Sequence, residues 1–442
     1  MIYKHISELI GNTPLLEIDP KVHGLKKINL YAKLEYYNPF GSIKDRVAYG
    51  MIKDEIDRLQ KSKQTVLESS SGNTAKALAA LCATYDIPFK TITSRIKISE
   101  VRMILQALGA QIEELPNVSE CPDPFDPNDF LAFAQNLAKT EPEKYYLTDQ
   151  YFNEKNPETH YATTGKELLD DLKKVDYFIG FLGTCGSSFG IGKHLRETNP
   201  QTQIIGVVSS PGNDVPGGRM ANELWEVGFF KKDFYDHIVE GTSREAIMGM
   251  LELNRRCGML CGPTTGLNYY AGLRKLQDIE RSLVLTGGEK VNAVFIACDR
   301  MEWYTSYLKK NMPELFSGTT TSKPRVSDIS DELVDEAPQL VPAEADEILR
   351  NGKGVAIDLR GSFAYSIGHI KDSWNILDDL FSQIVEMGHG LPKNKTIIVV
   401  CSVGDISRKY ATFLKRAGYD AYSVKGGITE WKRSGLPLER SV

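Results

Sequence analysis

Several features that would assign a protein to a definite class are missing from this sequence. No apolar run approaches the roughly 18 residues that a membrane-spanning helix needs, so we expect no membrane span. The N-terminal stretch MIYKHISELIGNTPLLEI interrupts its apolar pattern with charges and lacks the apolar block of a signal peptide. The net charge of −5 gives no basic stripe, which argues against nucleic-acid binding.

Metal-ligand and disulfide signatures are also missing. The sequence contains no Cys-x-x-Cys pair, and its number of cysteines is odd. Scattered cysteines of this kind argue against a zinc site and against a disulfide framework. We therefore expect a reduced, cytoplasmic protein without a bound metal. The seven cysteines are Cys82, Cys121, Cys185, Cys257, Cys261, Cys298 and Cys401.

The chain of 442 residues is too long for one hydrophobic core, which favours two or three domains. Residues 1–311 alternate β-rich apolar runs with helical patterns and predict an α/β domain whose parallel sheet is covered on both faces. Residues 312–338 are rich in Ser, Thr, Pro and acidic residues and predict a surface linker. Residues 339–442 have strands and helices of their own and predict a second, small α/β domain.

A lysine at a loop–helix junction is the first candidate catalytic group. In KLEYYNPFGSIKDRVA, Lys44 directly follows a turn-rich segment and begins a predicted helix. A lysine that is removed from water has a lowered pKa, and its free amine can form an imine. The alternative is an ordinary surface lysine that pairs with Asp45 on the first helical turn.

Three Gly-, Ser- and Thr-rich turns follow predicted strands and precede predicted helices. They lie in ESSSGNTAKAL, FLGTCGSSFGIG and CGPTTGLNYYAGL. The first suits a carboxylate and the second a phosphate, because backbone amides and the positive end of the helix dipole point the same way. Each turn alone is weak evidence. Together with Lys44 they predict a site for an amine-bound phosphorylated cofactor and an amino-acid carboxylate.

Up to about residue 310, the chain resembles the cysteine synthase and cystathionine β-synthase family of pyridoxal-phosphate enzymes. The resemblance rests on the order of the motifs IGNTPL, KLEYYNPFGSIKDR, SSSGNT, DQYFNEKNPETHYATTGKEL, GTCGSS and PTTG. It implies the tryptophan synthase β-like fold, with two subdomains and parallel sheets, a mobile subdomain near residues 40–145, and a homodimer. Its cofactor would be pyridoxal 5'-phosphate, held by Lys44 as an internal Schiff base.

The same resemblance implies the other contacts of the site. The implied contacts are Asn73 with the ring hydroxyl; Gly183, Thr184, Cys185, Gly186 and Ser187 with the cofactor phosphate; Thr264 with the pyridine nitrogen; and Ser70, Ser71, Gly72, Thr74 and Gln150 with the substrate carboxylate.

The implied reaction is a β-replacement on a small amino acid. A hydroxyl such as that of Thr264 cannot firmly protonate the pyridine, so the ring would be a moderate electron sink that favours β-elimination through an aminoacrylate. Lys44, once displaced by the substrate, would take the α-proton. A nucleophile would then add. The substrate would be derived from serine, as O-acetylserine and O-phosphoserine are.

Four departures from the family pattern bear on the substrate and the nucleophile. Cys185 stands where glycine is usual in the phosphate turn, and Ala75 replaces the glycine that commonly follows SGNT. The glycine-rich stretch at the active-site mouth reads ELWEVGFF (Glu223–Phe230). The segment near the pyridine reads CDRMEWY (Cys298–Tyr304), which is closer to the branch that joins an amino-acid nucleophile to O-phosphoserine.

Over about residues 340–440 the tail resembles a single-domain rhodanese, through AIDLRGSFAYSIGHIKDSWNI, CSVGDIS and AGYDAYSVKGGITEWKRSGLPLE. The resemblance makes Cys401 a sulfur carrier, because loop amides and a helix N-terminus facing its sulfur would favour a thiolate and hold a persulfide. Ile406 stands where the family often has arginine, so either the donor is a persulfide-bearing carrier protein or transfer is poor. The alternative is a buried structural thiol in a binding module.

Three hypotheses follow for the whole chain. In the first, a Cys401 persulfide supplies sulfur, and the product is cysteine or a related thiol amino acid. In the second, an amine such as glutamate or ammonia adds instead, giving diaminopropionate or an N-(2-amino-2-carboxyethyl)-glutamate type of product, and the rhodanese domain is accessory or regulatory. In the third, the protein is catalytically inactive and both domains bind partners.

Overall fold

The structure, a computed structural model, describes residues 2–94, 96–115, 129–224, 228–285, 289–317, 325–388 and 390–440. The chain forms two compact units, Met1–Ser317 and Gly318–Val442. Among the helices in these described ranges, none is long and apolar enough to cross a membrane.

The first unit contains two sheets. Its described strands are β1 (Leu15–Glu17), β2 (Ile28–Leu34), β3 (Thr65–Glu68), β4 (Phe89–Thr93), β5 (Gln111–Glu114), β6 (Tyr145–Leu147), β7 (Tyr177–Phe181), β8 (Gln203–Ser209), β9 (His237–Gly241) and β10 (Val291–Ala297). The larger sheet has the order β1-β2-β10-β7-β8-β9, and only the pair β1–β2 is antiparallel. The smaller sheet, β5-β4-β3-β6, is entirely parallel. The predicted α/β class with parallel sheets is confirmed.

Helices lie between these strands. They are α1 (Pro20–His23), α2 (Lys44–Ile52), α3 (Ile56–Ser62), α4 (Asn73–Thr84), α5 (Ser99–Ala107), α6 (Phe130–Thr140), α7 (Lys155–His160), α8 (Lys166–Leu172), α9 (Gly186–Thr198), α10 (Ser243–Cys257), α11 (Pro263–Leu285) and α12 (Thr305–Asn311). Side chains alternate along β10, so that Phe295 packs in a cluster with Leu267 of α11, whereas Val294 packs with Ile191 of α9. The larger sheet is therefore covered on both faces, as its continuous apolar strands require.

A buried ion network fixes the start of α2. Arg46, two residues after Lys44, donates from Nε to Glu35 Oε2 at 2.8 Å and from Nη1 to Glu167 Oε1 at 2.6 Å. The Lys33 ammonium lies 2.9 Å from Glu167 Oε2. Because these charges are almost completely buried and mutually paired, they hold the first turn of α2 against β2 and α8.

The second unit is a small parallel α/β fold with strand order β11-β15-β14-β12-β13. Its described strands are β11 (Gln339–Leu340), β12 (Gly354–Asp358), β13 (Trp374–Asn375), β14 (Thr396–Val400) and β15 (Ala421–Val424). Its described helices are α13 (Asp331–Asp335), α14 (Pro342–Arg350), α15 (Ser362–Ile367), α16 (Asp378–Met387), α17 (Asp405–Arg416) and α18 (Gly427–Arg433).

The structure differs from the predicted linker over residues 312–338. Val326 and Ile329 are buried in the core of the second unit, and Leu333 of α13 packs against the same cluster. The three apolar residues lie in a 3-10 turn (Val326–Asp328), just after it, and in α13, and all three contact the same cluster. Because the segment as a whole is polar, its composition did not predict that these residues are buried. Residues 318–324 lie outside the described residues.

Candidate active site

A cavity of about 550 Å³ lies in the first unit, next to the carboxyl ends of β3, β7 and β10. The ends of parallel strands are the usual place for a ligand, because loops from neighbouring strands converge there. The predicted site residues that line the cavity are Lys44, Ser70, Ser71, Gly72, Asn73, Thr74, Gln150, Gly183, Thr184, Cys185, Ser187 and Thr264. Gly186 begins α9 in the same turn, and Cys401 belongs to the second unit.

Lys44 is the first residue of α2 and lines the cavity. Removal from water lowers the pKa of its amine, and nearby acidic groups oppose this only in part. The neighbouring Asp45 instead accepts hydrogen bonds from the Phe40 amide at 2.6 Å and from Ser42 Oγ at 3.1 Å. Lys44 is therefore a cavity amine with a weakened hold on its proton, unlike the surface pair with Asp45 that the sequence also allowed.

The turn after β3 is tied to Gln150 at the cavity wall. Thr74 Oγ1 donates to Gln150 Oε1 at 2.7 Å. Beneath them, the Glu68 carboxyl accepts from the amides of Ser69 and Gln150, at 2.9 and 3.3 Å, and from Thr148 Oγ1 at 2.5 Å. Glu68 is fully buried, and this burial raises its pKa to about 7. One carboxyl thus joins both segments that the sequence assigned to substrate binding.

The turn from β7 into α9 is too tight for added side-chain atoms. A Cβ on Gly186 would lie 2.1 Å from Asn156 Oδ1, and one on Gly183 would lie 2.7 Å from a backbone carbonyl oxygen. Asn156 cannot easily move aside, because its Nδ2 donates to Thr184 Oγ1 at 3.1 Å. Cys185, in the left-handed region at φ 66°, stands where glycine is favoured. The close approach of backbone at the N-terminus of α9 suits an anion such as phosphate.

Asp299 is a cavity residue that the sequence reasoning did not assign. It follows β10 and is 1% exposed, and its carboxylate accepts from Asn73 Nδ2 at 2.6 Å and from Thr264 Oγ1 at 3.4 Å. The Tyr304 hydroxyl donates to it as well. Burial raises the pKa of Asp299. The unusual segment CDRMEWY was the available signal, but nothing in it indicated contacts with residues more than thirty positions away.

Lys76 of α4 lies close to this carboxylate. Its ammonium is 4.0 Å from the centre of the Trp303 ring, and Nζ has no hydrogen-bond partner within the described part of the chain. Burial lowers the pKa of Lys76 to about 8, while the negative charges of Asp45 and Asp299 oppose that shift. Lys76 is therefore a buried cation beside the Asp299 carboxyl, which contacts both Asn73 and Thr264.

Arg219 is the second cavity residue that the sequence reasoning missed. It is 2% exposed, and its guanidinium lies 5.9 Å from the centre of the Tyr151 ring. Its positive charge also favours the thiolate of Cys185, although burial dominates and raises the pKa of that thiol. Of the predicted mouth segment Glu223–Phe230, Glu223 lines the cavity, and residues 225–227 lie outside the described residues.

Cys401 follows β14 in the second unit and is 3% exposed. The Gly404 amide donates to its sulfur at 3.2 Å, and the Ser407 hydroxyl lies at 3.3 Å. The thiol also donates to Asp405 Oδ1 at 3.2 Å. Within the described residues, the hydrogen-bond partners of the sulfur are thus one backbone amide, one hydroxyl and one carboxylate.

The cavity of the first unit fits an aldehyde cofactor that carries a phosphate. It offers an amine whose pKa is lowered by burial, and a turn without room for Cβ atoms at the start of a thirteen-residue helix. Asn73 and Thr264 both donate to the Asp299 carboxylate and have further polar atoms for the edge of an aromatic ring. Lys44, Asn73, Thr264 and Asp299 all line the cavity.

Comparison with known proteins gives two matches along the chain. The family model described as "Pyridoxal-phosphate dependent enzyme" matches residues 6–287, and "Rhodanese-like domain" matches residues 341–434. Cysteine synthase of Aquifex aeolicus is 29% identical over 309 residues, which are 67% of this chain and 92% of that protein. Cysteine synthase B of Pseudomonas aeruginosa is 31% identical over 308 residues, or 69% and 96%. The solved O-acetylserine dependent cystathionine beta-synthase from Helicobacter pylori has a TM-score of 0.57 and 26% identity, covering 69% of this chain and 98% of that one.

Proposed function

Since the chain belongs to the family of pyridoxal-phosphate dependent enzymes and carries a C-terminal rhodanese-like domain, we propose that it makes a thiol amino acid from a serine derivative. Its activity is a pyridoxal-phosphate dependent β-replacement of the cysteine synthase and cystathionine β-synthase type. The proposal adds a substrate, O-acetylserine or O-phosphoserine, and a sulfur source, a persulfide on Cys401. The product is cysteine or a related thiol amino acid.

The observation that carries the proposal is the position of Lys44 in one cavity with the turns 69–74 and 183–187. Pyridoxal phosphate, when bound, withdraws electrons from the α-carbon of an amino acid. Lys44 Nζ would hold the aldehyde carbon of the cofactor and, once displaced by the substrate, would accept the α-proton; burial lowers its pKa, which favours the free amine that this role needs. The amides at the start of α9 would hold the phosphate, and Asn73 and Thr264 would orient the ring.

Ser70, Ser71, Gly72, Thr74 and Gln150 form the proposed carboxylate subsite. The turn precedes α4, whose N-terminus favours an anion. The bond between Thr74 and Gln150 keeps both side chains at the cavity wall. In this subsite the substrate carboxylate is fixed while the β-substituent points into the remaining space.

The leaving group is proposed to be phosphate, because the Arg219 guanidinium lies in the cavity wall and stabilises an anion there. O-acetylserine, the substrate named for the Helicobacter pylori relative, is the other candidate. Arg219→Met tests the choice: kcat/KM for O-phosphoserine is expected to fall at least tenfold more than that for O-acetylserine, as loss of a charged hydrogen bond predicts. Equal losses on both substrates refute phosphate as the leaving group.

Sulfur delivery is tested at Cys401. Tethering one carrier to each active site gives an effective concentration of roughly millimolar, which suits a labile donor. Cys401→Ser is expected to abolish thiol amino-acid formation from a persulfide donor and to leave turnover with free sulfide unchanged. If Cys401→Ser and the unmodified protein use the persulfide donor equally well, the two domains do not cooperate.

A second candidate forms a C–N bond. Lys310 lines the same cavity and suits a carboxylate-bearing amine such as glutamate. A panel of nucleophiles analysed by mass spectrometry separates the two: a C–N product without any C–S product supports the diaminopropionate type of synthase. Lys44→Ala is the control for both, since borohydride then fixes no cofactor to the protein.

The proposal also includes a homodimer in the cytoplasm, with a persulfide-bearing carrier as partner. Light scattering coupled to size-exclusion chromatography measures the mass of the assembly, and a monomer at micromolar concentration contradicts the dimer. Cell fractionation followed by immunodetection tests the location.

A further inference from the structure

We propose that Asp405 selects the sulfur donor of Cys401, by disfavouring inorganic anions such as thiosulfate and leaving thiol-bound persulfides as the donor class. The observation behind it is the carboxylate oxygen 3.2 Å from the Cys401 sulfur. The inference rests on the proposed role of Cys401 as a sulfur carrier, and it specifies which compounds can load that carrier.

The position of this carboxylate is fixed by its own hydrogen bonds. Asp405 is the first residue of α17, and its Oδ1 accepts from the Ile406 amide at 2.8 Å as well as from the Cys401 thiol. The Ile406 amide is the main reason that the pKa of Asp405 lies below its usual value. The carboxylate is therefore ionised at neutral pH and held beside the sulfur.

The rest of the loop offers an inorganic anion little compensation. Within the described residues, the hydrogen-bond partners of the Cys401 sulfur include no lysine or arginine side chain. Arg408, the first cation after the loop, lies 3.7 Å from Asp335. Val403 and Ile406 are 57% and 42% exposed, so apolar surface flanks the loop. An organic donor can contact that surface, whereas a small hydrated dianion gains nothing from it.

The transfer step balances without any added oxidant or reductant. The Cys401 thiolate attacks the outer sulfur of a donor R–S–S–H, the S–S bond of the donor breaks, and Cys401 then carries –S–S–H. The departing R–S⁻ takes up the proton that the Cys401 thiol has lost. With thiosulfate the same attack releases sulfite, but two negative charges must approach the Asp405 carboxylate. At about 5 Å in water this repulsion slows loading by roughly tenfold.

Asp405→Asn tests the proposal in the full chain, because asparagine keeps an oxygen for the Ile406 amide and removes the charge. The matched control is Asp372→Asn, which removes an exposed charge ahead of β13, an edge strand of the sheet, whereas Asp405 follows the central strand β14. The two donors are thiosulfate and cysteamine persulfide. The ammonium of cysteamine persulfide balances the charge of its outer sulfur in the ionised form, and the protonated R–S–S–H form reacts with the Cys401 thiolate. The rate of Cys401 persulfide formation is measured by intact-mass spectrometry after alkylation.

Asp405→Asn is expected to raise the thiosulfate rate about tenfold, to change the cysteamine persulfide rate less than twofold, and to weaken the salt dependence of the thiosulfate rate. Asp372→Asn is expected to match the unmodified protein with both donors. If Cys401 is loaded but the ratio of the two rates is the same in Asp405→Asn, Asp405 does not select the donor. If no variant loads Cys401 from either donor, the sulfur-carrier role itself is wrong and the inference falls with it.

Discussion

Replacing Glu68 with glutamine removes a buried charge directly beneath the proposed substrate subsite. Glu68 is 0% exposed, and its three hydrogen-bond donors are the amides of Ser69 and Gln150 and the hydroxyl of Thr148. These donors do not fully compensate for the loss of water, because burial raises its pKa from 4.5 to about 7. The folded protein therefore holds the proton of Glu68 more tightly than the unfolded chain does.

The sign and size of the effect follow from this difference. Below pH 4.5, the pKa of Glu68 in the unfolded chain, Glu68 is protonated in both the folded and the unfolded protein, so its charge does not affect stability. As the pH rises through about 7 the unfolded chain has already ionised, and the folded state is destabilised by about 3 kcal/mol. Glu68→Gln abolishes that loss. We expect it to stabilise the first unit by about 2 kcal/mol at about pH 8.5, since the amide nitrogen replaces one acceptor at a cost of about 1 kcal/mol, and to destabilise it by up to about 1 kcal/mol near pH 4.5, where only that cost remains.

The assay must report on the first unit alone. Urea unfolding followed by pulsed hydrogen exchange and mass spectrometry does so, because a peptide containing Thr65–Glu68 belongs to β3. Glu143→Gln, at an exposed carboxylate of the same unit, is the matched control and is expected to change the midpoint at neither pH. An equal stability change for Glu68→Gln at both pH values would contradict the reasoning, because a lost packing contact does not titrate.

Two further substitutions test the framework of the site. Gly186→Ala is expected to weaken pyridoxal-phosphate affinity about tenfold in an absorbance titration, because its Cβ would lie 2.1 Å from Asn156 Oδ1; Gly361→Ala, where nothing lies within 4 Å, is the control. Arg46→Met is expected to lower the free energy of unfolding of the first unit by about 3–5 kcal/mol in the same exchange assay, because Glu35 is left buried without its cation. A loss below 1 kcal/mol contradicts that role.

The sequence alone could predict those parts of the candidate site that are formed by residues close together in the chain. Each Gly-, Ser- and Thr-rich turn lies between a strand and a helix, and the requirement for small residues and amides is met within five or six consecutive positions. The turns 69–74 and 183–187 and Lys44, which the sequence analysis assigned to one site, line one cavity in the structure. The α/β class was predictable for the same reason, since apolar periodicity is a local property.

Contacts between distant segments were not predictable from one sequence. Asp299 binds Asn73 across 226 positions, and no local pattern distinguishes it from a surface aspartate. The burial of Val326 and Ile329 was not predictable either. The average composition of a polar segment does not indicate that two of its apolar residues pack into the core of the second unit. At Cys401, the motif CSVGDIS indicated the loop, but the direction of the Asp405 carboxylate depends on backbone geometry that one sequence does not give.

Asp299 changes what the hydroxyl of Thr264 can offer to a pyridine nitrogen. A hydroxyl has one proton, and here Thr264 Oγ1 donates it to Asp299 Oδ1, so its lone pairs are the part that remains for the ring. A lone pair accepts a hydrogen bond from the N–H of a protonated ring and so favours the protonated form, whereas a hydroxyl that donates a hydrogen bond to the ring nitrogen would favour the neutral ring. The buried ammonium of Lys76 stabilises the ionised carboxylate that holds the hydroxyl in this orientation. The expectation of a moderate electron sink rested on a hydroxyl acting alone, and it therefore has to include the charge state of Asp299.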